Sequence, residues 1–120
     1  MISSNCYPHL FQPIQIGPVR LKNRLGFAPM VCNKCTVDGT VTDSMVEFVY
    51  QQASTGVGYV TIGDTQVDDD LGGAFMATLN IARKTSLPGL IRLTEAASFG
   101  GAVLSVELNH SGRGAKDDLI

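Results

Sequence analysis

The stretch that decides the fold is Ala102-Val103-Leu104-Ser105-Val106-Glu107-Leu108-Asn109-His110-Ser111-Gly112-Arg113. An apolar set alternates with Ser105, Glu107 and Asn109. Successive side chains of a strand point to opposite faces, so these three polar groups share one face. A carboxylate among β-formers is costly to bury without a partner. The strand then runs straight into His110, Gly112 and Arg113. Polar groups converging at the carboxyl end of a strand are what a parallel α/β protein uses to hold a ligand.

Upstream of this strand, Ser86-Leu87-Pro88 predicts a helix start, with a cap residue and then Pro in the first turn, where its missing N–H costs little. That helix ends at Phe99-Gly100-Gly101. Before it lies a long irregular segment reaching back to Thr65. Its Asp68-Asp69-Asp70 run lacks the alternating spacing and central glycine of a calcium loop, and reads as a solvated turn. Gly58 to Ile62 is a β-branched and aromatic run, hence a strand, ending at Gly63-Asp64-Thr65. Thr42 reads as an N-cap, with Asp43 favourably placed at the positive end of a helix. Met45, Phe48, Val49 and Ala53 follow at helical spacing, and Gly56 reads as the C-cap. A loop with an Asp38-Gly39 turn precedes it. Arg24 to Ala28 is a short buried strand stopped by Pro29. Pro13 to Ile16 and Val19 to Leu21 form a hairpin joined at Gly17-Pro18, which Pro18 confines to an edge. Strands alternating with helices imply βαβ crossovers and a parallel sheet, an α/β fold.

The 120 residues suffice for one modest domain, and 44% hydrophobic against 17% charged residues is a globular composition. The formal net charge is −2 and the basic residues are scattered, which argues against nucleic acid as a partner. No apolar run spans a bilayer and no basic amphipathic helix offers a membrane surface. The N-terminus lacks a charged n-region and an h-region, so no secretory signal is expected. Three cysteines, Cys6, Cys32 and Cys35, are an odd set without such a signal. They point to a reducing, cytoplasmic compartment rather than a disulfide scaffold. Cys32-Asn33-Lys34-Cys35 has CxxC spacing, yet a zinc site needs two further ligands. Cys6, His9 and His110 are far off in sequence, so no metal site is assigned and free loop thiols are expected. A redox dithiol would open a helix after a strand, whereas this pair precedes the Asp38-Gly39 turn.

Several motifs in order carry a resemblance to a known family. They are Leu10-Phe11-Gln12-Pro13-Ile14, Leu21-Lys22-Asn23-Arg24, Ala28-Pro29-Met30, Asp38-Gly39 followed by Thr42-Asp43, Gly56-Val57-Gly58, and Leu108 to Arg113. The chain resembles the N-terminal part of an old yellow enzyme-type NADH:flavin oxidoreductase, in the branch of 2,4-dienoyl-CoA reductases and enoate reductases. The resemblance covers roughly residues 10 to 115. It implies a (β/α)8 TIM barrel with FMN at the carboxyl ends of the strands, the hairpin plugging the barrel bottom, and the first three barrel strands. A complete barrel takes about 250 residues. Residues 1–120 are then read as the N-terminal segment of one FMN-binding domain.

The same resemblance implies site residues. Ala28, Pro29 and Met30 stand where the family's first barrel strand meets the isoalloxazine. Val31 occupies a position where relatives often carry Thr or Cys; a valine donates no hydrogen bond there. Asp64 falls where many relatives have a small residue against the flavin edge. Glu107 stands where many have Gln, facing the pyrimidine ring. Asn109, His110 and Arg113 lie toward the substrate side. No catalytic residue is assigned, because the family's carbonyl-binding pair, proton-donor Tyr and phosphate loops have no counterpart in these residues. An iron–sulfur cluster would belong only to a part downstream of them.

The implied activity is hydride transfer from NAD(P)H through FMN to an activated C=C bond of an unsaturated carbonyl or enoyl substrate. The competing reading is a non-catalytic partial barrel that self-associates or pairs with a complementary chain, because open sheet edges and apolar faces favour association. The alternatives at single residues are also concrete. Glu107 instead pairs with Lys22 or Arg24, Met30 is a gap-filling core residue, His110 is a structural hydrogen-bonding group, and Arg113 is a loop cation.

Overall fold

A computed structural model describes residues 6–115 of the chain. Strands β1 (Ile14–Ile16) and β2 (Val19–Leu21) form the antiparallel hairpin, with Ile14 opposite Leu21. Gly17 turns between them at φ +54°, a conformation that glycine adopts without a Cβ penalty. There follow β3 (Gly26–Phe27), α1 (Asp43–Ala53), β4 (Tyr59–Gln66), β5 (Leu79–Asn80), α2 (Leu87–Phe99) and β6 (Val103–Asn109). Strands β3 to β6 make one parallel sheet. β4 is its centre. Gly26 and Phe27 of β3 pair with Tyr59 and Val60, while β6 runs along the other edge from Tyr59 to Gln66. Short β5 takes up the β3 side where β3 has stopped, opposite Thr65 and Gln66.

The hairpin packs under this sheet. Ile16, Val19 and Leu21 line a cleft of about 380 Å³ with Tyr59, Val103, Leu104 and Ser105, the first residues of β4 and β6. It therefore sits at the amino-terminal end of the strands, as a barrel plug does. Asn23 fastens it. Its side-chain amide donates to the Gly56 carbonyl at 2.8 Å, and its Oδ1 accepts from the Leu25 N–H at 3.1 Å. That turn shortens the expected strand Arg24–Ala28 to Gly26–Phe27.

Helix α1 starts as its sequence predicts: Thr42 Oγ1 accepts from the Met45 N–H at 3.2 Å. Its end differs. Ser54, not Gly56, is the C-cap, because the Ser54 and Thr55 hydroxyls donate to the Tyr50 and Gln52 carbonyls. Gly56 then turns the chain at φ +96°. Helix α2 carries Pro88 in its first turn, but Ser86 does not cap it; the Ser86 hydroxyl donates to the Asn80 carbonyl instead. β4 does not stop at Gly63-Asp64-Thr65 but runs through them to Gln66.

Both helices cover one face of the sheet. Met45 and Val49 of α1, Leu93, Ala96 and Ala97 of α2, Ile62 and Leu79 of the strands, and Cys35 and Val41 of the loop form one buried cluster. Fully burying a side chain of this size stabilises by about 1.5–3 kcal/mol. Ala53, Val60 and Ala102 form a smaller cluster below it. Among the described residues no helix is long and apolar enough to cross a membrane.

Candidate functional site

The opposite, carboxyl-terminal end of the sheet gathers the predicted site residues. Beyond β3 the chain runs exposed through Ala28, Pro29 and Met30, and Val31 makes an isolated parallel bridge with Gly63 of β4. A Cβ on Gly63 would lie 2.5 Å from Glu107 Oε2, 2.7 Å from Pro29 Cβ and 3.1 Å from the Met30 nitrogen. Three strand ends therefore meet at one glycine. A glycine inside a strand marks such a close backbone approach, so this signal was available in the sequence at Gly63.

The register changes at the same point. Ile62 faces Val106, but Thr65 faces Leu108, so β4 uses one residue more than β6 between these pairs. The extra residue is a bulge, which re-aims the side chains around it. Strict alternation would put Thr65 on the face of Thr61 and Gly63. The bulge sends it to the Leu108 side and leaves Gln66 paired with Asn109. The Gly63–Asp64 peptide within it is cis. Ser105 and Thr61 meet hydroxyl to hydroxyl at 2.7 Å, which sets the inner face below Glu107.

Asp64 is only 7% exposed, and among the described residues its Oδ1 has no hydrogen-bond partner; the same holds for the Thr65 hydroxyl. Burial holds the Asp64 carboxyl above the usual carboxylate range; a hydrogen bond from the Asn109 side chain opposes this, and the nearby Glu107 charge adds to it. Glu107 does not form the ion pair considered for it. Among the described residues the ion pairs run elsewhere, and the Lys22 ammonium points toward Gly101.

An acid whose folded-state ionisation lies above its unfolded value stabilises least when charged. Its contribution is fully present below the unfolded value and is lost as pH rises through the raised folded value. Asp38, Asp68 and Asp69 are shifted downward and act in the opposite sense, so the difference between two proteins isolates Asp64. Asp64→Asn is expected to gain on the wild type in denaturant midpoint as pH rises above the ordinary carboxylate value of about 4. Parallel pH profiles for the two proteins would show that Asp64 is not held in this way.

His110 is turned away from this face. Its Nδ1 accepts from the Gly112 N–H at 3.0 Å, and its Nε2 lies 4.0 Å from Asp68. Arg113 is exposed in the 3-10 turn Gly112–Gly114. The Asp68-Asp69-Asp70 run is committed to structure. Asp68 Oδ1 accepts from the Asp70 and Leu71 amides, and Asp69 holds Arg83 and the Asn80 amide. Arg83 also reaches Asp38 at 3.4 Å, tying the loop before α1 to the loop after β4. A groove of about 510 Å³ lies elsewhere, between α1 and α2, and gathers no group from the strand ends.

The CxxC pair lies in the loop before α1 with both thiols free, as expected, but its side chains turn into the core. Cys35 belongs to the main core, and Cys32 packs on it with its thiol 3.4 Å from Met45 Sδ. Burial pushes the Cys35 thiol up to about 12, with Cys32 and Asp38 adding to it. The thiolate is the reactive form. Cys35 is therefore expected to resist iodoacetamide at neutral pH in the folded protein and to react on unfolding. Equal labelling of Cys35 before and after unfolding, read by peptide mass, would contradict this burial.

The family model described as "NADH:flavin oxidoreductase / NADH oxidase family" matches residues 9–120. The chain belongs to this family. Within the NADH:flavin oxidoreductase family it is 36% identical over 110 residues to a metal reductase of Desulforamulus reducens, covering 92% of this chain and 16% of that protein. It is 29% identical over 107 residues to an NADH oxidase of Thermoanaerobacter brockii, covering 89% of this chain and again 16% of the relative. Among solved structures it superposes on an old yellow enzyme homologue from Zymomonas mobilis with a TM-score of 0.85 at 26% identity, covering 93% of this chain and 31% of that one. A 2-naphthoyl-CoA reductase in complex with 2-naphthoyl-CoA gives a TM-score of 0.83 at 31% identity, covering 92% and 17%. The chain thus spans less than a third of each of these relatives. The shared fold makes β3, β4 and β6 the first three strands of an old yellow enzyme-type barrel, with β5 a short addition.

Proposed function

We propose that the protein acts as an FMN-dependent oxidoreductase that reduces an activated C=C bond with electrons from NADH or NADPH, and that this chain forms one side of the flavin bed. The observation that carries this reading is the meeting of three strand ends at Gly63. Apolar, exposed Ala28, Pro29, Met30 and Val31 stand there beside the buried polar Asp64 and the carboxylate of Glu107. This donor set fits a flavin. A flat ring needs an apolar ledge and a polar edge, and the unpartnered Asp64 Oδ1 supplies a buried polar group awaiting one. Ala28 to Met30 would support the ring, Val31 its edge by the backbone alone, and Glu107 the pyrimidine N–H, since an ionised carboxylate only accepts. Asn109 lies on the same inner face and orients the Asp64 carboxyl. His110 and Arg113 stand outside the bed, toward the mouth. When bound, FMN supplies the hydride relay between nicotinamide and substrate.

The test is anaerobic. The protein as its natural gene encodes it is loaded with FMN, reduced with NADH or NADPH, and offered 2-cyclohexenone. Bleaching of the flavin by nicotinamide and its recovery on enone addition is the expected result. A flavin that neither nicotinamide reduces, or a reduced flavin that the enone leaves unchanged, overturns the reading.

One observation favours association as a property of these 120 residues taken alone. Ile16 is 56% exposed and Val103 36% in the cleft between hairpin and sheet, and β6 pairs on one edge only among the described residues. Such surfaces favour further contacts. Sedimentation of the 120-residue chain is expected to show concentration-dependent oligomers. A strict monomer with cooperative unfolding would exclude this.

A further inference from the structure

We propose that Asp64 and Glu107 work as a paired acid and carboxylate that reads the N–H/C=O edge of the bound ring, Asp64 giving a hydrogen bond to a ring carbonyl and Glu107 accepting from the ring N–H. This rests on the flavin reading above and specifies how its pyrimidine edge is held.

A side-chain amide at position 107 would donate and accept from one group, whereas an ionised Glu107 can only accept. The missing donor must come from a neighbour. Asp64 is that neighbour. It is more than nine-tenths buried, its Oδ1 has no partner among the described residues, and it follows the glycine against which Glu107 Oε2 rests. Asp64 is buried beside the exposed Glu107 carboxylate, and both its burial and that neighbouring charge disfavour its ionisation, so it is the member of the pair that retains a proton. Burial favours that proton on Asp64, and the Asn109 amide stands against the same carboxyl. The charged group facing Asp64 is Glu107 of β6. The end of β3 brings only Pro29, Met30 and Val31, which carry no charge. Asp68, on the following loop, is occupied by its own loop amides and faces His110. The bulge at Gly63–Asp64 makes the arrangement possible, since it places an extra β4 residue opposite Glu107.

The proton balance follows. The ring binds to the form in which Asp64 is neutral. Above the ionisation of free Asp64, each binding event takes one proton from solvent, and no bond to the ring is formed or broken. Affinity then falls about tenfold per pH unit on that limb.

The experiment titrates the apo form of the natural gene product with FMN across pH, by fluorescence quenching, for the wild type, Asp64→Asn and Asp64→Ala. Infrared difference spectra follow a protonated carboxyl. The expected wild-type profile falls on its alkaline side. Asp64→Asn, which keeps a donor but cannot titrate, gives a profile without that limb. Asp64→Ala gives the same shape about fivefold weaker, the loss of one hydrogen bond. The FMN phosphate and ring ionise alike in all three and cancel in the comparison. A protonated-carboxyl band in the wild type, absent from Asp64→Asn, completes the expected result. If FMN binds but the three profiles are parallel, or the band is missing, the acid pair is overturned and the flavin reading stands. If none of the three proteins binds FMN at any pH, the flavin reading fails and this inference with it. Should Asp64→Asn not fold, the wild-type band and the alanine profile still decide.

Discussion

Gly39→Ala is expected to lower the stability of the protein by about 2–5 kcal/mol, the sum of a left-handed backbone penalty and overpacking. Gly39 lies at φ +81°, and a Cβ there would come within 2.8 Å of both the Asn80 nitrogen and the Thr78 carbonyl oxygen. These are backbone atoms of β5 and its approach, which cannot swing aside as a side chain does. The Gly39 carbonyl also accepts from the Asn80 N–H at 3.1 Å. The turn before α1 is thereby held against β5, and the Asn80 side chain passes the connection to Asp69. Chemical denaturation should show a lower midpoint with an unchanged slope. A change within about 0.5 kcal/mol, the range of ordinary surface substitutions, would mean that this turn does not pack against β5.

Leu93→Ala should cost a comparable amount, about 2–5 kcal/mol, through lost transfer free energy and the cavity left behind. Leu93 is fully buried where α2 meets α1 and the sheet, among Met45, Val49, Ile62 and Leu79. Ile91 is the control on the same helix. It is 51% exposed, and truncating it to alanine should cost well under about half as much. Equal losses at the two positions would show that α2 turns a different face to the sheet.

What the sequence revealed was mostly local chemistry. The Thr42 cap, the Pro88 entry to α2 and the Gly17 hairpin each depend on residues a few positions apart, and they stand as read. The shared face of Ser105 and Glu107 also holds, because alternation along β6 needs no outside partner. Competing partners and contacts invisible to local patterns explain the rest. Gly56 is a sound C-cap by type, but the Ser54 and Thr55 hydroxyls satisfy the helix carbonyls first. Ser86 is a sound N-cap by type, but its hydroxyl is drawn back to the Asn80 carbonyl. Two residues of β5 are too short for a periodic signal. Cys35 is a loop thiol as read, but its burial was hidden, because nothing nearby in sequence shows that Val41, Met45 and Leu79 close over it. The bulge at Gly63–Asp64 was the hidden element of the site, since alternation read along β4 alone assigns Thr65 to the wrong face.

The one-sided pairing of β6 has a consequence for hydrogen exchange. A strand directs its amides alternately to its two neighbours. The Val103 N–H donates to Gly58 at 3.0 Å, so Ser105 and Glu107 also direct theirs toward β4, while Leu104, Val106 and Leu108 direct theirs outward. Neighbouring amides of one strand should then exchange with deuterium at rates of two kinds, slow and fast in turn. Whatever chain comes to lie along the outer edge protects the fast set and leaves the slow set nearly unchanged. Exchange along seven consecutive residues thus serves as a gauge of edge occupancy, read without any knowledge of what the occupant is.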